Sequence, residues 1–81
     1  MERVVVIMEY PNINRPATDQ GVAINYGDLL KYLVADRFLV EAFCYMPIDP
    51  RNRNARDRDI EELRLQGWLV ETKVGRESEQ T

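Results

Sequence analysis

The chain predicts an α/β fold: a three-stranded parallel sheet, order 3-2-1, built from one β-α-β-α-β unit. Three observations carry this expectation. Residues 3–8 and 38–46 are nearly unbroken apolar runs, the pattern of strands in a parallel sheet covered on both faces. Apolar residues recur at helical spacing after each run. A third short run, 68–74, closes the rhythm without any internal repeat.

The elements follow in order. Arg3 to Met8 is β-branched and apolar, and reads as the first strand. Pro11 to Gly21 is rich in Pro, Asn, Asp and Gly, and predicts a long loop at that strand's exit. Asn25 is placed to cap a helix with Asp28 in its first turn, and Tyr26, Leu29, Leu30, Leu33 and Val34 share a face until about Asp36. Phe38 to Met46, bounded by Pro47, Asp49 and Pro50, is the second strand. Asn54 is the expected cap of a second helix. Asp57 and Asp59 lie near its positive end, Ile60, Leu63 and Leu65 supply its apolar face, and Gly67 stops it. Trp68 to Val74 alternates large or branched residues with Glu71 and Lys73, as a strand with one wet side does. The domain spans 1–75, and 76–81 is a polar, flexible tail.

Composition narrows the chemistry. With 81 residues, 44% hydrophobic and 31% charged, the chain is expected to fold as one small domain with a thin core. A net charge of −3 gives no general attraction for nucleic acid. There is no histidine and one cysteine, which excludes Ser-His and Cys-His nucleophile pairs, an internal disulfide and the usual zinc sites. Any catalysis must rest on carboxylates. Neither a signal-type stretch nor a run of roughly 18 apolar residues is present, so a cytoplasmic, non-membrane protein is expected.

Right-handed crossovers place both expected helices on one face of the sheet and leave the other face bare, with the most apolar strand at an edge. Leaving ~400 Å² of apolar sheet in water forgoes about 10 kcal/mol, comparable to the whole stability of a small domain. Self-association, as a homodimer, follows as an expectation: edge to edge, face to face, or by exchange of segments. The competing expectation is a fragment of a longer protein whose second half supplies further strands and helices.

Certain motifs are specific enough to resemble a known family. Val4-Val5-Val6-Ile7-Met8-Glu9-Tyr10-Pro11-Asn12 is similar to a first strand ending in Asp-x-x-Asn. Tyr45 with Asp49-Pro50 is similar to the end of that family's second strand, and Leu63 through Gly67-Trp68-Leu69-Val70 to its "Gly-aromatic-x-Val" third strand. The chain thus resembles the amino-terminal half of the NYN domain, the LabA-like branch of the PIN-like nuclease superfamily, a Rossmann-like fold. The resemblance implies metal-dependent cleavage of RNA, with Glu9 at a position that ligates Mg²⁺ or Mn²⁺ and activates water. Two departures accompany it. Glu9 stands where the family has Asp, and the family's remaining acidic residues, which follow its third strand, have no counterpart here.

The candidate site residues are therefore Glu9, as catalytic and metal-ligating carboxylate, and Asn12 and Arg15, as substrate contacts. Each has a plainer reading: a solvated strand end for Glu9, a turn-forming amide for Asn12, a surface charge for Arg15. Arg51, Arg53, Arg56 and Arg58 could grip phosphates, but interleaved Asp49, Asp57 and Asp59 favour a salt-bridged loop. Phe43, Cys44 and Met46 fit core packing, and Tyr26 and Trp68 fit core or interface better than base stacking. The leading expectation is a half-domain that is not catalytic alone and acts through self-association or a protein partner. The alternative is an Mg- or Mn-dependent ribonuclease whose site is completed by a second copy or by a missing C-terminal half.

Overall fold

The computed structural model describes residues 1–75, and the expected tail at 76–81 lies outside the described residues. Six elements occur in the order β1 (Arg3–Glu9), α1 (Tyr10–Asp19), α2 (Tyr26–Val34), β2 (Phe38–Ile48), α3 (Asp57–Leu65) and β3 (Leu69–Val74). The strands form one parallel sheet ordered β1-β2-β3, which is the expected order counted from the other edge. A bulge at Val4/Val5 leaves Val40 of β2 unpaired, so Val4 lies beside Leu39 and Val5 beside Glu41.

All three helices cover the same face. Met8 of β1, Ala42, Cys44, Met46 and Ile48 of β2, and Val70 of β3 meet Tyr10, Leu30, Ile60, Leu63 and Trp68 in one core. Among the described residues nothing covers the opposite face: Val5, Ile7 and Leu69 are 51%, 64% and 45% exposed. The continuous apolarity of β1 thus serves two faces, of which the chain's own helices bury one.

Where a loop is expected over 11–21, the chain forms α1. Pro11 sits in the first turn, where its missing N–H had no helical partner to lose. Pro16 does remove an internal bond, and its cost is offset by packing: Tyr10 is buried, with Asn14 and Ala17 partly buried on the same face one and two turns on. The helix ends in a Schellman motif, in which Val22 N–H donates to Ala17 C=O (2.8 Å) and Gly21 N–H to Thr18 C=O (3.0 Å). Gly21 takes φ 71° there.

Other boundaries move for local reasons. Asn25 caps α2 as expected, its Oδ1 accepting from Asp28 N–H at 3.0 Å. Asn54 does not cap α3: Arg56 holds that position and no side chain closes it. Leu65, expected on the apolar face of α3, points to solvent. The C-terminal stop at Gly67 holds, through a second Schellman motif in which Trp68 N–H donates to Leu63 C=O at 3.0 Å. β2 runs through Pro47 rather than stopping at it. Ile48 C=O accepts from Gly75 N–H, so by alternation the backbone of Pro47 faces the β1 side, and β1 has already ended at Glu9 opposite Tyr45. No ladder bond is lost.

Two backbone positions make opposite predictions. A Cβ at Gly21 would meet nothing within 4 Å, so Gly21→Ala pays only for the left-handed conformation, about 1 kcal/mol. Ala35 already pays such a cost at φ 54°, ψ −121°, and Ala35→Gly should return about 1 kcal/mol of it. In thermal melts the first substitution should lower and the second raise the midpoint, each by about 4–8 °C.

Candidate functional site

β1 delivers Glu9 to the carboxyl edge of the sheet, where ligand sites of parallel sheets gather. The chain turns straight into α1, making Glu9 the residue before the helix and placing Asn12 in its first turn. Their side chains meet: Asn12 Nδ2 donates to Glu9 Oε2 at 2.9 Å, in an exposed position. The structure therefore brings together two of the three residues expected to form a site, and Asn12 answers the carboxylate beside it rather than a loop.

Register builds the rest of this corner. Glu9 lies beside Tyr45, and Tyr45 beside Glu71, in one row across all three strands. Strands lie about 4.8 Å apart, so the two glutamates flank the tyrosine with backbones about 10 Å apart. Pro47 and Lys73 form the next row. These residues, with Asn12, line an open cleft of about 580 Å³. Glu71 and Lys73 were legible in the sequence only as the wet side of a strand; register is what joins them to Glu9.

Arg15 stands elsewhere. It belongs to α1 rather than to a loop beside Glu9, and it lines a neighbouring groove of about 880 Å³ with Asp49, Asn52 and Arg56. Within that arginine-rich segment Arg56 pairs with Asp59 at 3.1 Å and Arg51 with Asp49 at 3.4 Å, as a salt-bridged loop requires. The Arg51 N–H, hydrogen-bonded to Asp49 Oδ1 at 2.8 Å, holds that carboxyl below its ordinary pKa.

Divalent magnesium or manganese is held by several oxygen ligands, usually more than one carboxylate together with waters or phosphates. Glu9 offers one carboxylate, already hydrogen-bonded by Asn12. Among the described residues no group of three or more His, Cys, Asp or Glu side chains gathers where an ion could be held. The donor set at Glu9 falls short of a self-sufficient metal centre.

The buried counterpart of this open corner is an aromatic cluster that sequence reading did not assemble. The rings of Tyr10 and Tyr26 lie 5.5 Å apart, Tyr26 Oη donates to Asn14 Oδ1 at 3.3 Å, and the Arg56 guanidinium sits 5.7 Å above the Tyr10 ring. Trp68 Nε1 donates to Tyr26 C=O at 3.0 Å. The usable signal was the helical spacing of Tyr10, Asn14 and Ala17. Burial pushes the Tyr26 phenol up to about 12, and raises Tyr10 with help from the Asp59 charge. Burial also pushes the free Cys44 thiol up to about 11, which keeps it unreactive at neutral pH.

No helix among the described residues is long and apolar enough to cross a membrane. No family model, curated protein or solved structure matches the chain.

The buried acids fix a pH response. In the unfolded chain Cys44 ionises near 9.0 and Tyr26 near 10.0, whereas the folded chain keeps both protons to about 11 and about 12. Across that window the unfolded state binds fewer protons, so stability is complete below pH 9.0 and falls as pH rises. Thermal melts should show the midpoint dropping from about pH 9 upward. Cys44→Ala should remove the earlier part of the pH dependence and Tyr26→Phe the later part.

Proposed function

We propose that this chain is a binding module that is not catalytic by itself, and that it works by associating with a second copy through its uncompleted sheet, in a reducing cytoplasm that suits its free Cys44. The observation that carries this reading is the sheet surface itself. One face holds Val5, Ile7, Phe38, Val40 and Leu69 in contact with water, and β1 ends the sheet with unpaired backbone groups. Unpaired backbone groups along the most apolar strand favour a second strand beside it, so this free edge supports a partner that extends the sheet.

A second reading, favoured by the meeting of Glu9 and Asn12 at the carboxyl edge, keeps the resemblance to the NYN domain in play. In it the chain is an Mg- or Mn-dependent ribonuclease whose further carboxylates are supplied by a second copy. Glu9 supplies one ligand and Asn12 orients it.

Light scattering across a concentration series should give a dimer. Val5→Pro should convert it to a folded monomer, because the ring removes an N–H from the free edge of β1, and Val5 is half-exposed so that its loss leaves the core intact. A wild-type chain that remains monomeric at every concentration overturns the reading. For the ribonuclease, Mn²⁺ should raise the melting midpoint and support cleavage of single-stranded RNA, and Glu9→Gln should abolish both. Indifference to Mn²⁺ rejects it.

A further inference from the structure

We infer that the second copy docks on the free edge of β1, antiparallel to it, about a two-fold axis at Val6, so that the sheets of both copies become one. This rests on the reading that the chain self-associates, and it specifies the surface and the register.

The free edge is not uniform. Phe38 N–H donates to Glu2 C=O at 2.8 Å, so the even-numbered residues of this segment turn their backbone groups toward β2. By alternation Arg3, Val5, Ile7 and Glu9 turn theirs outward, to the open side. Antiparallel pairing about Val6 sets Arg3 opposite Glu9 of the partner subunit and Val5 opposite Ile7 of the partner subunit. Both pairs join residues whose N–H and C=O already face the gap, and both occur twice. Val6 meets Val6 of the partner subunit in the non-hydrogen-bonded position.

Charge selects the same register. β1 carries a cation at its first residue, an anion at its last, and only apolar residues between them. In this pairing each end charge lies across from its opposite, whereas a parallel match would set like against like. The flank of α2 adds apolar surface. A Cβ on Gly27 would sit 3.3 Å from Gln66 at the end of α3, so that flank faces inward along the sheet. At about 100° per residue, Leu29 and Leu33 lie on the opposite flank, above the open edge, and Leu33 is 36% exposed. The two-fold axis brings these leucines toward their copies.

Face-to-face stacking is the rival, and the bare face argues against it. Arg3, Glu9, Glu41, Glu71 and Lys73 are interleaved there with the apolar residues, and all are exposed. Stacking would take these charges out of water, at a cost of several kcal/mol for each one left unpaired. Edge pairing leaves them solvated.

The register is tested by charge reversal. Arg3→Glu alone, or Glu9→Arg alone, should weaken the dimer on the order of tenfold or more, because each places two like-charged pairs across the axis. Mixing the two variants should restore association as a heterodimer, since every Glu then faces an Arg. Both sites are exposed, so each variant folds. Val6→Cys should form an intersubunit disulfide on mild oxidation, because non-hydrogen-bonded antiparallel partners lie within bridging distance, and Cys44 is buried away from the reagent. If the wild type is dimeric but the mixture fails to reassociate, or Val6→Cys stays unlinked, this register is wrong while self-association stands. If the wild type never dimerises, both fall.

Discussion

Everything in this molecule depends on the handedness of two crossovers. Parallel strands joined by right-handed connections place α2 and α3 on one side of β1-β2-β3, and α1 joins them because it grows directly from the end of β1. The central strand then carries the core. Ala42, Cys44, Met46 and Ile48 of β2 are buried, while their neighbours Tyr45 and Pro47 face outward. At roughly 25 cal/mol per Å², covering only one face limits how much a chain of this size gains by burial. The bare face is therefore an energetic consequence of topology as much as a feature of the surface.

The covered side compensates with stitching between helices. Tyr10 lies under α2 through its contact with Tyr26 and receives Arg56 over its ring, while Trp68 reaches back to the first residue of α2. These contacts link every helix to the strand exits. They also explain why α1 tolerates Pro16: a buried aromatic and a Schellman end at Gly21 fix the segment from both termini. Local propensity loses to burial, as it commonly does for short helices in small domains.

Glu9 stands where three demands meet. It ends β1, precedes α1 near that helix's positive pole, and accepts from Asn12. The same position sits across from Arg3 if β1 pairs with itself. In that pairing a carboxylate there would limit an apolar edge strand to the one antiparallel register that satisfies its charge. Such a pairing would require neither a metal nor further acids at this position.

Much was legible in the amino-acid order. Short apolar runs marked all three strands, Asn25 and Gly67 marked helix ends, and the alternation of Glu71 and Lys73 marked a wet face, because each signal is local and periodic. The sequence by itself thus determined the α/β class, the strand order, the burial of Cys44 and the uncovered face. Three-dimensional packing alone decided the rest. It made a helix of 10–19 by burying Tyr10, and carried β2 through Pro47 because β1 had ended. It also joined Glu9, Tyr45 and Glu71 in one row while sending Arg15 to another groove. The physical reason is common to all of these: each depends on which strand or helix stands opposite, and strand register is set by contacts between residues distant in the chain.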